Sequence, residues 1–317
     1  MGKWKVAAGA AVLLAVAGIS LVRADRPAAE VEARRAQPPS RFVEVDGMRV
    51  HYRDRGEGPA LLLVHGSNAS LFTWEGWASR LSDRFRVVSL DMPGHGLTGP
   101  HPQGRYDYAE MAVFLDHFVQ AVGLERFHLA GNSMGGSVAW HYALAHPAKV
   151  DRLVLVDAVG YEREEPLPPI LRLFATPGLN RIAEHVTPRF AVEQSIRDVY
   201  GDPSRVTEEL VDLYEDLALR EGNREASRKR LSHPHHDGLE KRLGEIRAPT
   251  LILWGGKDRW ILPKYAHRFD EDIPDSQLIL YPELGHVPME EDPETTAAAV
   301  RRFLGGRAQR AAGGSTR

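Results

Sequence analysis

Six short stretches of this chain consist almost wholly of apolar residues: ALLLV (Ala60 to Val64), RVVSL (Arg86 to Leu90), FHLA (Phe127 to Ala130), LVLV (Leu153 to Val156), TLILW (Thr250 to Trp254) and QLILY (Gln277 to Tyr281). A strand with one wet face alternates apolar and polar residues. Continuous apolar runs of this length instead describe strands covered on both faces, as in a parallel sheet. Amphipathic stretches fill the gaps, and the spacing predicts helices over Trp74 to Leu81, Tyr108 to Val122, Gly135 to Ala145, from about Pro263, and over Glu294 to Phe303. Ahead of them, RFVEVDGMRVHYRD reads as two alternating strands around an Asp46-Gly47 turn, which brings the strands to eight. The expected fold is α/β, a mainly parallel eight-stranded sheet with helices on both faces.

The alternation stops between Tyr161 and about Ile246, where Pro-punctuated helical segments such as TPRFAVEQSIRDVY and TEELVDLYEDLALREG stand instead. We read residues 161–246 as a helical insertion after strand 6, with the core divided into 41–160 and 247–304. Residues 305–317, GRAQRAAGGSTR with the glycine before it, read as a disordered tail. Within the insertion, Leu217 to Arg230 is so rich in charge that its simplest reading is a solvated helix face.

At the N-terminus, Lys3 and Lys5 precede an uncharged run from Val6 to Val22, followed by Arg23, Asp25 and Arg26. Such a run is short for a spanning helix and long for a signal-peptide core. Residues 1–24 are therefore expected to be an N-terminal membrane anchor or a signal segment cleaved after Ala24, a soluble docked helix being the bland alternative. Either export reading places the body outside the cytoplasm, periplasmic or extracellular, or secreted. Residues 25–40 mix Pro, Ala, Glu and Arg and read as a linker. With 40 Lys+Arg against 43 Asp+Glu, a net charge of -3 offers no broad attraction for nucleic acid. The absence of cysteine removes thiolate catalysis and Cys-ligated metals. The sequence does not indicate an oligomeric state.

Chemistry points to GNSMGG, Gly131 to Gly136, at the junction of a predicted strand and a predicted helix. G-x-S-x-G in that context makes a nucleophile elbow, a sharp turn that projects the Ser133 hydroxyl above the sheet. A serine hydroxyl is weakly nucleophilic at neutral pH and needs a histidine base oriented by a carboxylate. Asp258 follows strand TLILW and His286 follows strand QLILY, each at a C-terminal strand end, where open α/β sheets build their sites. Backbone amides must also face the developing oxyanion. Ser67, in the loop HGSNAS after ALLLV, and Met134 are the candidate donors, with Asn68 and Trp260 as candidate pocket residues.

With these motifs in place, the chain from about Arg41 to Leu304 resembles the α/β-hydrolase superfamily, on HGSNAS, DMPGHGLTG, GNSMGG, GGKDRW and GHVPMEEDP. The resemblance implies Ser133 as nucleophile, Asp258 as triad acid, His286 as base, Ser67 and Met134 as oxyanion donors, and the insertion as a lid. By the same resemblance Asp157, at the end of the sixth strand, is an alternative acid. A serine, rather than an aspartate, at the elbow argues against haloalkane dehalogenase and epoxide hydrolase chemistry. The elbow and the GKDRWILP segment are also similar to those of meta-cleavage-product hydrolases, which break a carbon–carbon bond, although that subfamily usually has a glycine-richer oxyanion loop and cytoplasmic members. Three functions follow: a carboxylic ester hydrolase acting on a small apolar substrate, a C–C bond hydrolase, and a silent scaffold used for binding. None calls for a cofactor or metal. Asp91 and His95 are expected to hold their loop together. His233, His235 and His236 read as a solvated lid turn, because no further ligand motif stands at a supporting spacing.

Overall fold

The computed structural model describes residues 23–166, 176, 178, 181, 185–232 and 237–306. The apolar run Val6 to Val22, the three histidines of SHPHHDG and residues 307–317 of the C-terminal tail lie outside them, while Gly305 belongs to the last helix. Among the described residues no helix is long and apolar enough to cross a membrane.

In chain order the elements are helix α1 (Ala28–Arg35), strands β1 (Ser40–Val45), β2 (Met48–Arg55) and β3 (Ala60–Val64), α2 (Glu75–Leu81), β4 (Arg86–Leu90), α3 (Tyr108–Ala121), β5 (Phe127–Asn132), α4 (Met134–Ala145) and β6 (Val150–Val156). Cap helices α5 (Arg189–Val199), α6 (Glu208–Ala218) and α7 (Asn223–Leu231) come next, then β7 (Thr250–Gly255), α8 (Lys264–Asp272), β8 (Ser276–Tyr281), α9 (Pro288–Glu291) and α10 (Pro293–Gly305). The eight strands form one sheet in the order β1-β2-β4-β3-β5-β6-β7-β8. The β1–β2 and β2–β4 pairings are antiparallel and all others parallel. The β1–β2 hairpin turns through Asp46 and Gly47 with φ of 51° and 75°, the doubly positive combination that suits a two-residue hairpin.

The apolar runs are explained by the two cores. In β3, Leu62 and Val64 pack on the side of α3, α4 and α8, with Phe118, Trp140 and Phe269. Leu61 and Leu63 point to the other side, onto Trp74, Trp77 and Leu81 near α2 and Val300 and Phe303 of α10. Successive strand residues face opposite ways, so β3, lying between two cores, presents apolar side chains to both. Truncating any of these fully buried leucines to alanine costs roughly 2–5 kcal/mol.

Two expectations are corrected. Residues 25–40 are not a free linker: α1 forms there, Val31 is fully buried, and the chain before it is strapped to the cap. Arg26 exchanges backbone hydrogen bonds with Leu219 and Glu221 at 2.7 and 2.9 Å. Arg23 and Arg26 pair with Glu215, Arg26, Arg34 and Arg35 pair with Asp216, and Asp25 pairs with Arg224. For the same reason Leu217 to Arg230 is not a solvated face, since Leu217, Leu219, Asn223, Arg224, Ala226 and Arg230 are all buried.

Candidate active site

The sheet sets the geometry by ending β3, β5, β6 and β7 nearly level, with Val64 paired to Gly131, Asn132 to Val156 and Val156 to Leu253. Ser133 sits between β5 and α4 with φ 53° and ψ −118°, a left-handed backbone that a β-carbon disfavours and that the surroundings must impose. They do so by proximity. A β-carbon on Gly131 would lie 2.1 Å from the Gly135 carbonyl oxygen, and one on Gly135 would lie 2.2 Å from that of Val64. Strand, turn and helix thus close up only with hydrogen at both positions. The Ser133 amide donates to Val156 O and its carbonyl accepts from Val159 N, each at 3.0 Å, which pins the strained turn to β6 and the segment after it.

Asp258 and His286 are brought together as the sequence suggested. His286 Nδ1 lies 2.7 Å from Asp258 Oδ2, and the other carboxylate oxygen accepts from the amides of Trp260 and Ile261 at 2.7 and 3.0 Å. Held at three points, the carboxylate sets the imidazole tautomer with Nε2 left for chemistry. The Trp260 indole stacks on the His286 ring at 5.9 Å. Ser133 and His286 are 8 % and 5 % exposed, and both line one cavity of about 780 Å³. Among the described residues the Ser133 hydroxyl makes no hydrogen bond, and it opens on the same cavity as His286.

Ser67 and Asn68 line the same cavity. Gly66 packs against the elbow so closely that a β-carbon there would stand 3.1 Å from Ser133 Cβ. Met134 opens α4, so its amide is one of the helix's unpaired first-turn donors. The remaining cavity wall comes largely from the cap, including Phe190, Val192, Ile196 and Leu217, and is predominantly apolar.

Several site residues escaped the sequence reading. Asn132 sends its side-chain amide to Val156 O at 3.1 Å and to His286 O at 3.0 Å, tying nucleophile strand to base. Glu291 accepts from the amides of Gly201, Asp202 and Gly285 at 2.8 to 2.9 Å, while His286 N donates to Val199 O at 2.7 Å. The histidine loop is therefore clamped to the end of α5, a cap element. Asp157, the alternative acid, is fully buried with φ 44° and accepts from Gly255 N at 3.0 Å. Burial, followed by the nearby Asp258 charge, pushes its carboxyl well above the usual carboxylate range, a shift that favours the neutral form beside Asp258. Asp157, Asp258 and His286 bring potential ligand atoms within 4.8 Å of one another, the one such triplet among the described residues. His286 Nδ1 and Asp258 are already committed to each other, a donor set suited to sharing protons.

His65 and His95 belong to the loop scaffolding. His65 donates from Nδ1 to Gly66 O at 2.7 Å and accepts from Met92 N at 3.0 Å, and burial lowers the pKa of both histidines.

Against this geometry stand the similarities to known proteins. A family model described as alpha/beta hydrolase fold matches residues 59–293. The chain is 32% identical over 275 residues to a 2-hydroxy-6-oxo-2,4-heptadienoate hydrolase of Pseudomonas putida, covering 83% of this chain and 95% of that one. Among solved structures, a membrane phospholipase A described as a bacterial virulence factor is 30% identical with a TM-score of 0.71, covering 96% of this chain and 99% of that one. A meta-cleavage product hydrolase from Pseudomonas fluorescens is 25% identical with a TM-score of 0.72, covering 84% and 97%.

Proposed function

The chain belongs to the α/β-hydrolase fold family, and on that premise we propose that it is a serine hydrolase that cleaves carboxylic esters of apolar acids through an acyl-enzyme. The observation that carries this reading is the shared cavity: Ser133, the Asp258-bonded His286 and the Ser67–Asn68 loop all face one largely apolar space. Its volume, about 780 Å³, lies in the upper part of the range of small-molecule sites.

In this mechanism His286 Nε2 takes the Ser133 proton as Oγ attacks the ester carbonyl, and Asp258 stabilises the imidazolium. The Ser67 and Met134 amides receive the oxyanion, a contribution on the order of 3 kcal/mol per donor. Collapse breaks the bond to the alcohol oxygen, which leaves with the proton from His286. A water molecule, deprotonated by the same nitrogen, then attacks the acyl-enzyme and releases the acid. A fluorophosphonate probe tests the nucleophile: labelling of the purified protein that disappears in Ser133→Ala is expected, and no labelling of the unaltered protein would end the reading.

A second reading, C–C bond hydrolysis, draws support from the 32% identity to a dienoate hydrolase. Graded p-nitrophenyl esters assayed beside a meta-cleavage dienoate separate the two, since turnover of the dienoate alone would reverse the order. We further infer that the catalytic body lies outside the cytoplasm, anchored by the Val6 to Val22 run or released after its cleavage, which the similarity to a membrane phospholipase across 96% of the chain supports. Protease added to intact cells should digest the body, and full protection would refute this placement.

A further inference from the structure

Among the described residues the cap contributes two buried arginines, and they differ in one respect. Arg224, 8 % exposed, has its acid: its guanidinium donates to Asp25 at 2.6 and 2.8 Å. Arg230, on α7 and 3 % exposed, has none among the described residues. Its Nη1 donates to Ser67 Oγ at 2.8 Å, and its Nη2 donates to Asn68 Oδ1 at 3.2 Å and Ser227 Oγ at 3.4 Å, all neutral acceptors. Its Nε is buried without an acceptor, and among the described residues no carboxylate lies within 4.0 Å of it. The groups facing it from neighbouring elements are neutral as well: Tyr106 and Tyr108 at the start of α3, and His65 and His95, whose charged forms burial disfavours. Burial draws the guanidinium itself down only to about 10, so it keeps its charge at neutral pH.

A buried cation without a counter-charge is costly, and a fold that keeps one gains when an anion shares the space. Arg230 lines the catalytic cavity and touches the very loop that carries the candidate oxyanion donor. We propose that Arg230 is an anion-recognition subsite of this cavity, so that the substrate carries a carboxylate or a phosphate close to its scissile bond. This inference rests on the ester-hydrolase reading for its catalytic consequence but not for binding. The competing role for Arg230 is positional, holding Ser67 and Asn68 in place with no contact to substrate.

Binding is tested in full-length Ser133→Ala protein by calorimetry with octyl phosphate, octanoate and octanol. Either or both anions should bind roughly 10–100-fold tighter than octanol, the gain expected of a charged hydrogen bond. Arg230→Met should abolish that preference, and Arg230→Lys should keep part of it, with a near-native melting temperature showing that the fold survives. The anion that responds identifies the group recognised. Equal affinity for all three ligands, or a preference untouched in Arg230→Met, overturns the proposal. On the otherwise unaltered enzyme, the kcat/KM ratio of mono-p-nitrophenyl succinate to p-nitrophenyl butyrate, and of a phosphatidylglycerol to the matching diacylglycerol, should fall 10–100-fold in Arg230→Met for at least one pair. A purely positional arginine would lower both members of each pair by the same factor and leave the ratios unchanged, which also overturns the proposal. Arg230-dependent anion binding with no ester turnover by the unaltered enzyme would retain the subsite and discard the ester-hydrolase reading.

Discussion

Among the described residues two buried histidine–aspartate pairs share the same Nδ1–Oδ2 distance. His51 Nδ1 lies 2.7 Å from Asp91 Oδ2, and His286 Nδ1 lies 2.7 Å from Asp258 Oδ2. In both, the carboxylate also collects two backbone amides, from Leu71 and Leu97 at Asp91 and from Trp260 and Ile261 at Asp258. The surroundings separate them. His51 lies between the rings of Phe42 and Phe72, at 5.1 and 6.1 Å, its Nε2 buried without a partner. His286 turns the corresponding edge toward a cavity it shares with Ser133. A dyad becomes catalytic machinery only when its free nitrogen meets space for a substrate and a nucleophile, and otherwise it is a rivet. The His51–Asp91 pair joins β2 to the loops after β3 and β4, so that DMPGHGLTG is held as scaffolding.

The largest expected effect tests the catalytic side alone. Ser133→Ala should lower kcat/KM for a p-nitrophenyl ester by roughly 10⁴- to 10⁶-fold while leaving urea unfolding nearly unchanged. Next, Asp258→Asn should cost about 10⁴-fold in kcat by favouring the wrong tautomer. Asp91→Asn, its twin substitution, should instead destabilise the fold by roughly 3–5 kcal/mol in urea titrations, with kcat of the folded fraction little altered. Similar activity losses from both would erase the distinction between the pairs.

Acid sharpens it further. Burial alone would raise the Asp91 carboxyl, but the charge and hydrogen bond of His51, with His65 and the Leu71 amide, hold it at about 2 against an unfolded value of 3.8. A carboxyl depressed in this way stabilises the fold above pH 4, and its contribution, on the order of 2 kcal/mol, is lost as the pH falls from about 4 toward 2. Unfolding titrations of the parent and of Asp91→Asn should converge over that window, and parallel curves would assign the acid sensitivity elsewhere. The smallest effect is expected at Asp157→Asn. A neutral amide resembles the neutral carboxyl that burial favours there, so kcat should change by less than about threefold. A loss matching that of Asp258→Asn would make Asp157 a working member of the acid pair.

How much of this could be read from the chain differs by region. The strands of the core were legible because burial on both faces leaves a local signature, the unbroken run ALLLV being its clearest form. The elbow was legible because only glycine fits at Gly131 and Gly135, so the steric requirement is written as residue type. The cap misled for the opposite reason. A charge on α7 looks the same in sequence whether it meets water or a partner, and the partner of Arg224 is Asp25, 199 residues away. Asn132, Glu291 and Arg230 act through backbone groups and neutral side chains of distant loops, which leave no spacing to recognise.

By itself, the sequence determined the layered sheet and singled out Ser133, Asp258 and His286 as candidates, since hydrophobic period and turn sterics are local properties of the chain. Tertiary structure alone decided which of two equivalent histidine–aspartate pairs faces a cavity, which cap arginine lacks an acid, and that the segment before β1 straps the lid. Those outcomes depend on solvent access and on where charges meet, and both are created only when remote segments come together.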